Sequence, residues 1–212
     1  MSAERERFLR AALAGAAQAA REGAPIHPQA AAAHAANESR YGESQLATKA
    51  KNLFGVKATG KQTAWWDGST VTMPTWEVEN GKNVTIDAAF RAYPDWPSAF
   101  SDYGDIIERV YPNAVAGKDR DLTFLAGLFL TGPYKWATDP SAFSKAAAII
   151  AQYADVLYDR PPVDDAAHAA DTLVLDDLTL ADRWRILFKT PAALSGAFVW
   201  RARGSKLDAR RA

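Results

Sequence analysis

The strongest constraint on the fold is a change of pattern in the middle of the chain. Residues 56–93 are rich in β-branched and aromatic residues and contain the turn pairs Asp67-Gly68 and Asn80-Gly81, which is typical of short antiparallel strands. The segments on either side carry apolar residues at the three- and four-residue spacing of helices. A β-region inserted between helical segments predicts a mainly α, α+β domain in which a helical body carries a small antiparallel β-lobe.

The helical segments can be bounded by their start and stop signals. An Ala-rich helix is predicted at 3–21. A second runs from Pro28, a residue tolerated in a first turn, to about Ser39, and Gly42 ends it. After the β-region the helical spacing returns three times, at 97–110, 121–131 and 141–158.

The composition excludes several functional classes. Lys plus Arg and Asp plus Glu both number 25, so no net charge attracts nucleic acid. The sequence has no cysteine, and its histidines, His27, His34 and His168, are widely spaced. Disulfides, thiol nucleophiles and zinc sites are therefore not predicted. We expect no cofactor, no metal and no nucleic acid partner, and we expect a monomer.

The charge changes sign along the last quarter of the chain. Residues 155–182 contain eight Asp and one Arg, whereas residues 183–212 contain eight Lys or Arg and one Asp. This shift predicts a domain over 1–158, followed over 159–212 by an acidic linker and a basic helical C-terminal extension. We place the helix of the extension at Leu173–Phe188 and expect the last residues to be solvated or frayed.

Glu38 is the carboxylate with the most unusual setting. Helical spacing places it on one stripe with Ala31, His34 and Ala35, near the C-terminal end of its helix. Burial and the helix dipole at this end both disfavour the charged form, so a raised pKa is expected. A carboxylic acid that keeps its proton can act as a general acid. The alternative is a solvated helix-end residue, and spacing alone favours that more common case.

Four blocks of sequence occur in the order of one known family. They are AAAAHAANESRYGESQLATKAKNLFGVKA, TWEVENG, FRAYPDWPSAFSDYGDII and WATDPSAFSKAAAIIAQY. Together they resemble the motifs of glycoside hydrolase family 73 over about residues 25–158. Four blocks in unbroken order are far more specific than any one motif.

The resemblance implies a lysozyme-like α domain with a β-lobe, in which the cleft between them holds a glycan strand of bacterial peptidoglycan. It implies cleavage of the β-1,4 bond that follows N-acetylglucosamine, with Glu38 at the position of the family's catalytic acid. Glu77, in TWEVENG, falls at the family's second carboxylate, which acts as a base or positions water. The helix, β-region, helix order agrees with this fold.

One departure from the family pattern concerns a tyrosine. The family has Tyr directly before Ala-Thr-Asp-Pro, whereas this chain has Trp136 there and Tyr134 two residues earlier. We predict Tyr134 as the third catalytic participant, because only a hydroxyl can orient water or an acetamido group. Trp136 is predicted to bind substrate, and the assignment of the family tyrosine's role between the two stays open.

Trp66, Trp76 and Asn52 are predicted substrate-binding residues with structural alternatives. Aromatic faces suit sugar rings, but a tryptophan half-buried in a small β-lobe is equally common. Asn52 opens the block NLFG, in which Leu53 and Phe54 are expected in the core.

His34 is a second departure, at a position where family members often carry Gln. It lies one turn before Glu38 and either hydrogen-bonds that carboxyl or serves as a core polar residue. Asp139, which precedes Pro140, is expected to cap the helix that begins near residue 141.

The sequence thus predicts a peptidoglycan endo-β-N-acetylglucosaminidase, with phage or prophage lysis as one setting. The first alternative is a lytic transglycosylase, which shares the cleft and can act with one carboxylate. The second is a wall-binding or virion structural protein that retains the fold without turnover.

Delivery to the wall is a separate expectation. The N-terminal segment MSAERERFLRAALAGAAQAAREG lacks the apolar centre of a secretory signal. We expect synthesis in the bacterial cytoplasm and action on the cell wall after release or export. The basic C-terminal end could contact an anionic membrane or wall surface, or the extension could pack on the domain with a solvated face.

Overall fold

The structure, a computed structural model, describes the backbone of residues 2–79, 82–159, 198–203 and 206–211, and the side chains of 2–75 and 85–159. The chain divides into two compact units, Met1–Asp159 and Arg160–Ala212. The first unit is mostly helical and contains a two-stranded antiparallel sheet, as predicted.

Before the sheet the chain forms α1 (Ala3–Arg21), α2 (Pro28–Ser39) and α3 (Gln45–Ala50). His27 caps α2, because its Nδ1 accepts a hydrogen bond from the backbone N–H of Ala30 at 3.4 Å. The bounds of α1 and α2 confirm the prediction. Helix α3 was not predicted, since six residues are too few for an apolar period to show.

The predicted β-region forms a long hairpin. Strand β1 (Thr70–Glu79) pairs antiparallel with β2 (Lys82–Arg91), in a register that opposes the first residue of β1 to the last of β2. Lys57 bridges to Phe90 near the base of the hairpin. The strands therefore occupy the second half of the predicted region, and the first half is mostly loop.

Helices return after the sheet: α4 (Trp96–Val110), α5 (Pro112–Ala116), α6 (Asp121–Phe129), α7 (Ala142–Gln152) and α8 (Ala154–Tyr158). The prediction of one helix at 141–158 is wrong, because the chain leaves helical geometry at Tyr153, with φ −118° and ψ 31°. The carbonyl of this buried tyrosine accepts hydrogen bonds from the N–H groups of Val156 and Leu157 and so begins α8.

Helix α2 lies at the centre of the helical body. Its residues from Ala30 to Ala36 are all buried, and none of these alanines has exposed surface. A helix that is apolar on every side is a core helix, and its small side chains let α1 and α7 pack closely against it. Glu38 is therefore carried on the last turn of a rigid element.

A buried ion pair joins the hairpin to helix α4. Asp102, with no exposed surface, accepts hydrogen bonds from Arg91 Nη1 at 2.8 Å, Tyr93 Oη at 2.7 Å and Thr63 Oγ1 at 2.8 Å. Nη2 of Arg91 donates to the carbonyl of Thr59 at 2.9 Å. Burial, with a smaller effect from Asp102, raises the pKa of Tyr93, so this hydroxyl remains a donor. The network holds the base of the β-lobe on the helical body.

In the second unit the described residues form a hairpin of β3 (Phe198–Arg203) and β4 (Lys206–Arg211). The expectation that the last residues are frayed is wrong for 201–203 and 206–211, which lie in these strands; their exposure to solvent stays a prediction. The predicted helix at Leu173–Phe188 and the basic side chains proposed for surface contact lie outside the described residues. Within the parts of the chain that the structure describes, no helix could cross a membrane.

Candidate active site

The side chain of Glu38 lies at the end of core helix α2. It is 26% exposed, whereas His34, one turn earlier, is fully buried. Nε2 of His34 lies 3.6 Å from Glu38 Oε1, and Asn37 Nδ2 donates to the same oxygen at 3.4 Å. A carboxyl that is held from the protein side and still partly exposed can reach a substrate.

The chain turns sharply directly after this carboxyl. Arg40, Tyr41 and Gly42 have φ values of 53°, 56° and 81°, and such values are uncommon for the first two residue types. Ser39 stabilises the turn, because its Oγ donates to a carbonyl one turn earlier at 2.6 Å and accepts from the N–H of Gly42 at 2.8 Å. These bonds fix the helix end that carries Glu38.

The pKa of Glu38 lies below its usual value, contrary to the expectation from the sequence. Burial raises this pKa, but the polar contact with His34 and the hydrogen bond from Asn37 lower it and together outweigh burial. The nearby Asp139 carboxylate has a smaller, raising effect. The apolar stripe correctly indicated burial, whereas the polar partners decide the direction of the shift.

His34 lies inside a shell of aromatic rings. Its Nδ1 is 3.0 Å from Tyr103 Oη, and the rings of Phe54, Phe129 and Trp136 meet it edge to face at centroid distances of 5.5, 5.0 and 5.1 Å. Burial raises the pKa of Tyr103 well above its usual value, so its hydroxyl stays protonated. The shell keeps water from the imidazole, and Phe54 is in the core as predicted.

Tyr134 and Trp136 have different surroundings. Trp136 is half-buried and contacts the rings of His34 and Tyr103. Tyr134 is 63% exposed. Trp136 therefore belongs to the group of side chains that supports Glu38, and Tyr134 lies on the outside of the same loop. The roles of both residues toward a sugar stay predictions.

Asp139 forms a charged cluster at the start of α7. Its carboxylate accepts hydrogen bonds from Lys145 Nζ at 2.8 Å, from the Ser141 hydroxyl at 2.7 Å and from the Ser141 N–H at 2.9 Å. These bonds, that of Lys145 first, lower the pKa of Asp139 to about 2. The predicted capping role is wrong, because the N-cap of α7 is Ser141 and Asp139 bonds that residue rather than an N–H of the first turn of the helix.

The predicted role of Asn52 in substrate binding is contradicted by its contacts. Asn52 is 1% exposed, and its Nδ2 donates to the carbonyls of Val56 and Arg91, both at 2.9 Å. Its Oδ1 accepts from the N–H groups of Phe54 and Val56 at 3.3 and 3.1 Å. Both ends of the amide are used inside the protein, so Asn52 ties its loop to the end of β2.

Trp66 also has a structural position rather than the predicted sugar-binding one. It is 4% exposed, and its Nε1 donates to the carbonyl of Ser69 at 2.7 Å. The guanidinium of Arg91 lies 4.3 Å from the centre of its ring, a cation–π contact. A ring that is buried and covered in this way has no open face for a sugar.

Glu77 and Trp76 lie in strand β1, opposite Val84 and Thr85 of β2. Their side chains are outside the described part of the molecule, so the second carboxylate and this sugar platform stay predictions. Among the described residues there is no group of three or more His, Asp or Glu side chains that could hold a metal ion.

Sequence reasoning missed the supports of the site, which are Arg91, Asp102 and Tyr103. The period of α4 indicates which face is buried but not what a buried polar side chain contacts. One signal was available, since an aspartate on the core face of an amphipathic helix needs a buried partner. Arg91, in the FRAY segment, was a candidate for that partner.

Comparison with known proteins adds a family to these features. The glucosaminidase family, described as mannosyl-glycoprotein endo-beta-N-acetylglucosaminidase, matches residues 14–155. Exo-glucosaminidase LytG of Bacillus subtilis (strain 168) is 36% identical over 177 residues, which are 77% of this chain and 59% of that protein. A probable N-acetylmuramidase of Lactococcus lactis subsp. lactis (strain IL1403) is 35% identical over 135 residues, 60% of this chain and 29% of that protein.

A solved structure shares the fold. The catalytic domain of the autolysin Auto from Listeria monocytogenes matches with a TM-score of 0.61 and 26% identity, over 75% of this chain and 89% of that one. The helical body with its hairpin is thus the predicted lysozyme-like domain. The chain spans only part of the two full-length relatives. Because the family match covers more than half of the sequence, the chain belongs to the glucosaminidase family, glycoside hydrolase family 73.

Proposed function

We propose that this protein is a glycoside hydrolase of bacterial peptidoglycan that cleaves internal β-1,4 bonds following N-acetylglucosamine, with Glu38 as general acid. The observation that carries the proposal is the setting of Glu38. Its carboxyl is partly exposed at the end of a core helix and is contacted from inside by His34. Membership of the glucosaminidase family supports the same reaction.

In the proposed reaction Glu38 gives its proton to the oxygen of the leaving sugar while the glycosidic bond breaks. Water adds to the anomeric carbon, and its proton passes to a base. We assign that base, or the group that positions the water, to Glu77 on β1. Tyr134 is proposed to orient the water or an acetamido group, and Trp136 and Trp76 to contact sugar rings.

The names of the relatives differ on which glycosidic bond is cleaved. LytG is named a glucosaminidase and the Lactococcus relative a probable muramidase. Mass spectrometry of sacculi digested by the purified chain distinguishes glucosaminidase from muramidase cleavage. We expect shortened strands with reducing N-acetylglucosamine ends. Reducing N-acetylmuramic acid ends would overturn the bond assignment, and single sugars released only from strand ends would overturn internal cleavage.

Two further outcomes of the same digestion would overturn hydrolysis itself. Anhydro-muramic acid ends would indicate a lytic transglycosylase, which breaks the bond without adding water. Binding to sacculi with no product at any pH would indicate a wall-binding protein that keeps the fold without turnover.

Activity is expected to decrease as the pH rises above the pKa of Glu38. That pKa lies below its usual value in the free enzyme, and only the protonated form donates, so kcat/KM loses about tenfold per pH unit. A bound glycan would remove solvent from a side chain that is 26% exposed, and desolvation raises the pKa of a carboxyl. The pKa read from kcat is therefore expected to be higher than the one read from kcat/KM.

Initial rates on soluble peptidoglycan fragments, from about pH 3 to about pH 8, measure both profiles. Asp119→Asn serves as the control, because this aspartate is 87% exposed, and it is expected to leave both profiles unchanged. The prediction fails if the two pKa values coincide, or if the rate increases through neutral pH.

A further inference from the structure

One buried nitrogen beside the candidate acid has no hydrogen-bond partner. Among the described residues, the buried side-chain atoms without a partner are His34 Nε2, Arg91 Nε and Ser101 Oγ. Of these, His34 Nε2 faces the Glu38 carboxyl, 3.6 Å from Oε1. This is slightly longer than a hydrogen bond. Catalytic hydrogen bonds often tighten only when substrate binds, and a small rotation of the partly exposed Glu38 side chain would close this one.

The other ring nitrogen of His34 determines where its proton lies. Nδ1 is 3.0 Å from Tyr103 Oη, and both residues are fully buried. If Nδ1 carried the proton, the Tyr103 hydroxyl hydrogen would be buried without a described acceptor, and a bare Nε2 would face a carboxylate. If the hydroxyl donates to Nδ1, both atoms are satisfied and an Nε2–H points at Glu38. The second arrangement leaves no polar atom unpaired.

Besides the Glu38 carboxyl, which lies 3.6 Å from Nε2, the groups around the imidazole are uncharged, apolar or paired. Tyr103 of α4 faces His34, and Tyr111, the residue that ends this helix, lies near Tyr103. Burial raises the pKa of both, so both are uncharged. Helix α6 presents Phe129 to the imidazole. From the loop before α7, Asp139 acts on Glu38, but that carboxylate is paired with Lys145.

The two polar contacts of Glu38 go to one oxygen. His34 Nε2 and Asn37 Nδ2 both face Oε1. The carbonyl oxygen of a carboxylic acid is a better acceptor than its hydroxyl oxygen, so two donors at Oε1 favour the proton on the other oxygen. When Glu38 is protonated, the proton is therefore placed on Oε2.

We propose that His34 is a positioning residue, a neutral imidazole whose Nε2–H holds Oε1 of Glu38 and leaves the transferable proton on Oε2. The proposal rests on the assignment of Glu38 as acid in the proposed function. When Glu38 has given up its proton, the same Nε2–H stabilises the carboxylate that forms. Tyr103 acts on Glu38 only through His34, because its hydroxyl determines which nitrogen of the imidazole carries the proton.

The tautomer can be measured directly in the whole 212-residue chain. ¹⁵N NMR of histidine-labelled protein at neutral pH is expected to show His34 neutral and protonated on Nε2, with its signals assigned by their loss in His34→Gln. In Tyr103→Phe, which removes only the hydroxyl, a mixture of both tautomers is expected. A wild-type His34 protonated on Nδ1, or on both nitrogens, would overturn the proposal.

Two variants separate positioning from packing. His34→Leu removes the donor at similar volume, whereas His34→Gln keeps an N–H that can reach Glu38. We expect His34→Leu to raise the Glu38 pKa, which is measured by ¹³C NMR of its carboxyl. We also expect the kcat reached at pH values below that pKa to fall about tenfold, while KM changes less than about twofold. His34→Gln is expected to restore most of both values.

An unchanged or lowered Glu38 pKa in His34→Leu overturns the positioning role, and so does equal loss in both variants. If His34→Leu does not fold, the wild-type tautomer and the Tyr103→Phe spectrum still decide the question. Failure of the proposed function has a different result. Full activity in Glu38→Gln would show that Glu38 is not the general acid, and the tautomer of His34 could still be measured.

Discussion

Replacement of Glu38 by glutamine is expected to lower the rate of glycan cleavage by about 10²- to 10⁴-fold, the usual range for loss of a general acid. Glutamine keeps the size of the side chain, and its carbonyl can still accept from Asn37, but it has no proton to donate. Because the side chain is partly exposed, the free energy of unfolding is expected to change by less than about 1 kcal/mol. Clearing of sacculi with product analysis measures the rate, and urea unfolding measures the stability.

Two further substitutions are measured beside Glu38→Gln. Glu43→Gln removes an exposed carboxylate from the loop after α2 and is expected to leave activity unchanged, so it controls for the loss of a charge. Glu77→Gln is expected to cause a smaller and pH-dependent loss, as for a base or a water-positioning group. Full activity in Glu38→Gln would contradict the central proposal, and equal losses in Glu43→Gln and Glu38→Gln would assign the effect to charge alone.

Replacement of Asp102 by alanine is expected to lower the free energy of unfolding by about 3 to 5 kcal/mol, the usual cost of removing one partner from a buried ion pair. The substitution leaves the Arg91 guanidinium buried without its counter-charge. It also removes the acceptor of the Tyr93 and Thr63 hydroxyls. Urea unfolding followed by circular dichroism measures the change, and the slope m tests whether the transition stays two-state.

The chain offers a matched control at its surface. Asp119 pairs with Lys118 at 3.4 Å, but both side chains are largely exposed, at 87% and 47%. Asp119→Ala is therefore expected to change the free energy of unfolding by less than about 1 kcal/mol. A double replacement of Arg91 by Met and Asp102 by Leu is expected to recover part of the loss, since most of it comes from the unpaired charge. A loss below about 1 kcal/mol in Asp102→Ala would contradict the role given to the network.

Most of the fold follows from local pattern. Helices α1, α2, α4 and α6 were predicted to within a few residues, and an antiparallel β-region was predicted around β1 and β2, although it was placed to begin too early. Apolar period, caps and turn pairs are properties of neighbouring residues. Short helices such as α3 and α5 were missed, since five or six residues do not display a period. The break at Tyr153 was missed as well, because no Gly or Pro marks it.

The candidate site was predictable only in part. The family motifs indicated Glu38, and the structure places it at the end of a core helix. Asn52 and Trp66 lie in or near the same motifs, yet both are buried with their polar atoms bonded inside the protein. A residue type that suits sugars therefore does not identify a sugar-binding residue, because the same hydrogen-bonding and aromatic groups also suit a core.

Local sequence is thus sufficient for the order of the longer helices and of the β-region, and for the position of Glu38 on the last turn of α2. It is not sufficient for the protonation of Glu38. His34 and Tyr103 are 69 residues apart, and Thr63 and Asp102 are 39 apart. Their hydrogen bonds exist only after the chain has folded. The pKa of Glu38 depends on a balance. Tertiary packing sets the burial of the carboxyl, which raises the pKa, whereas His34 and Asn37 on the same helix lower it and reverse the expected direction.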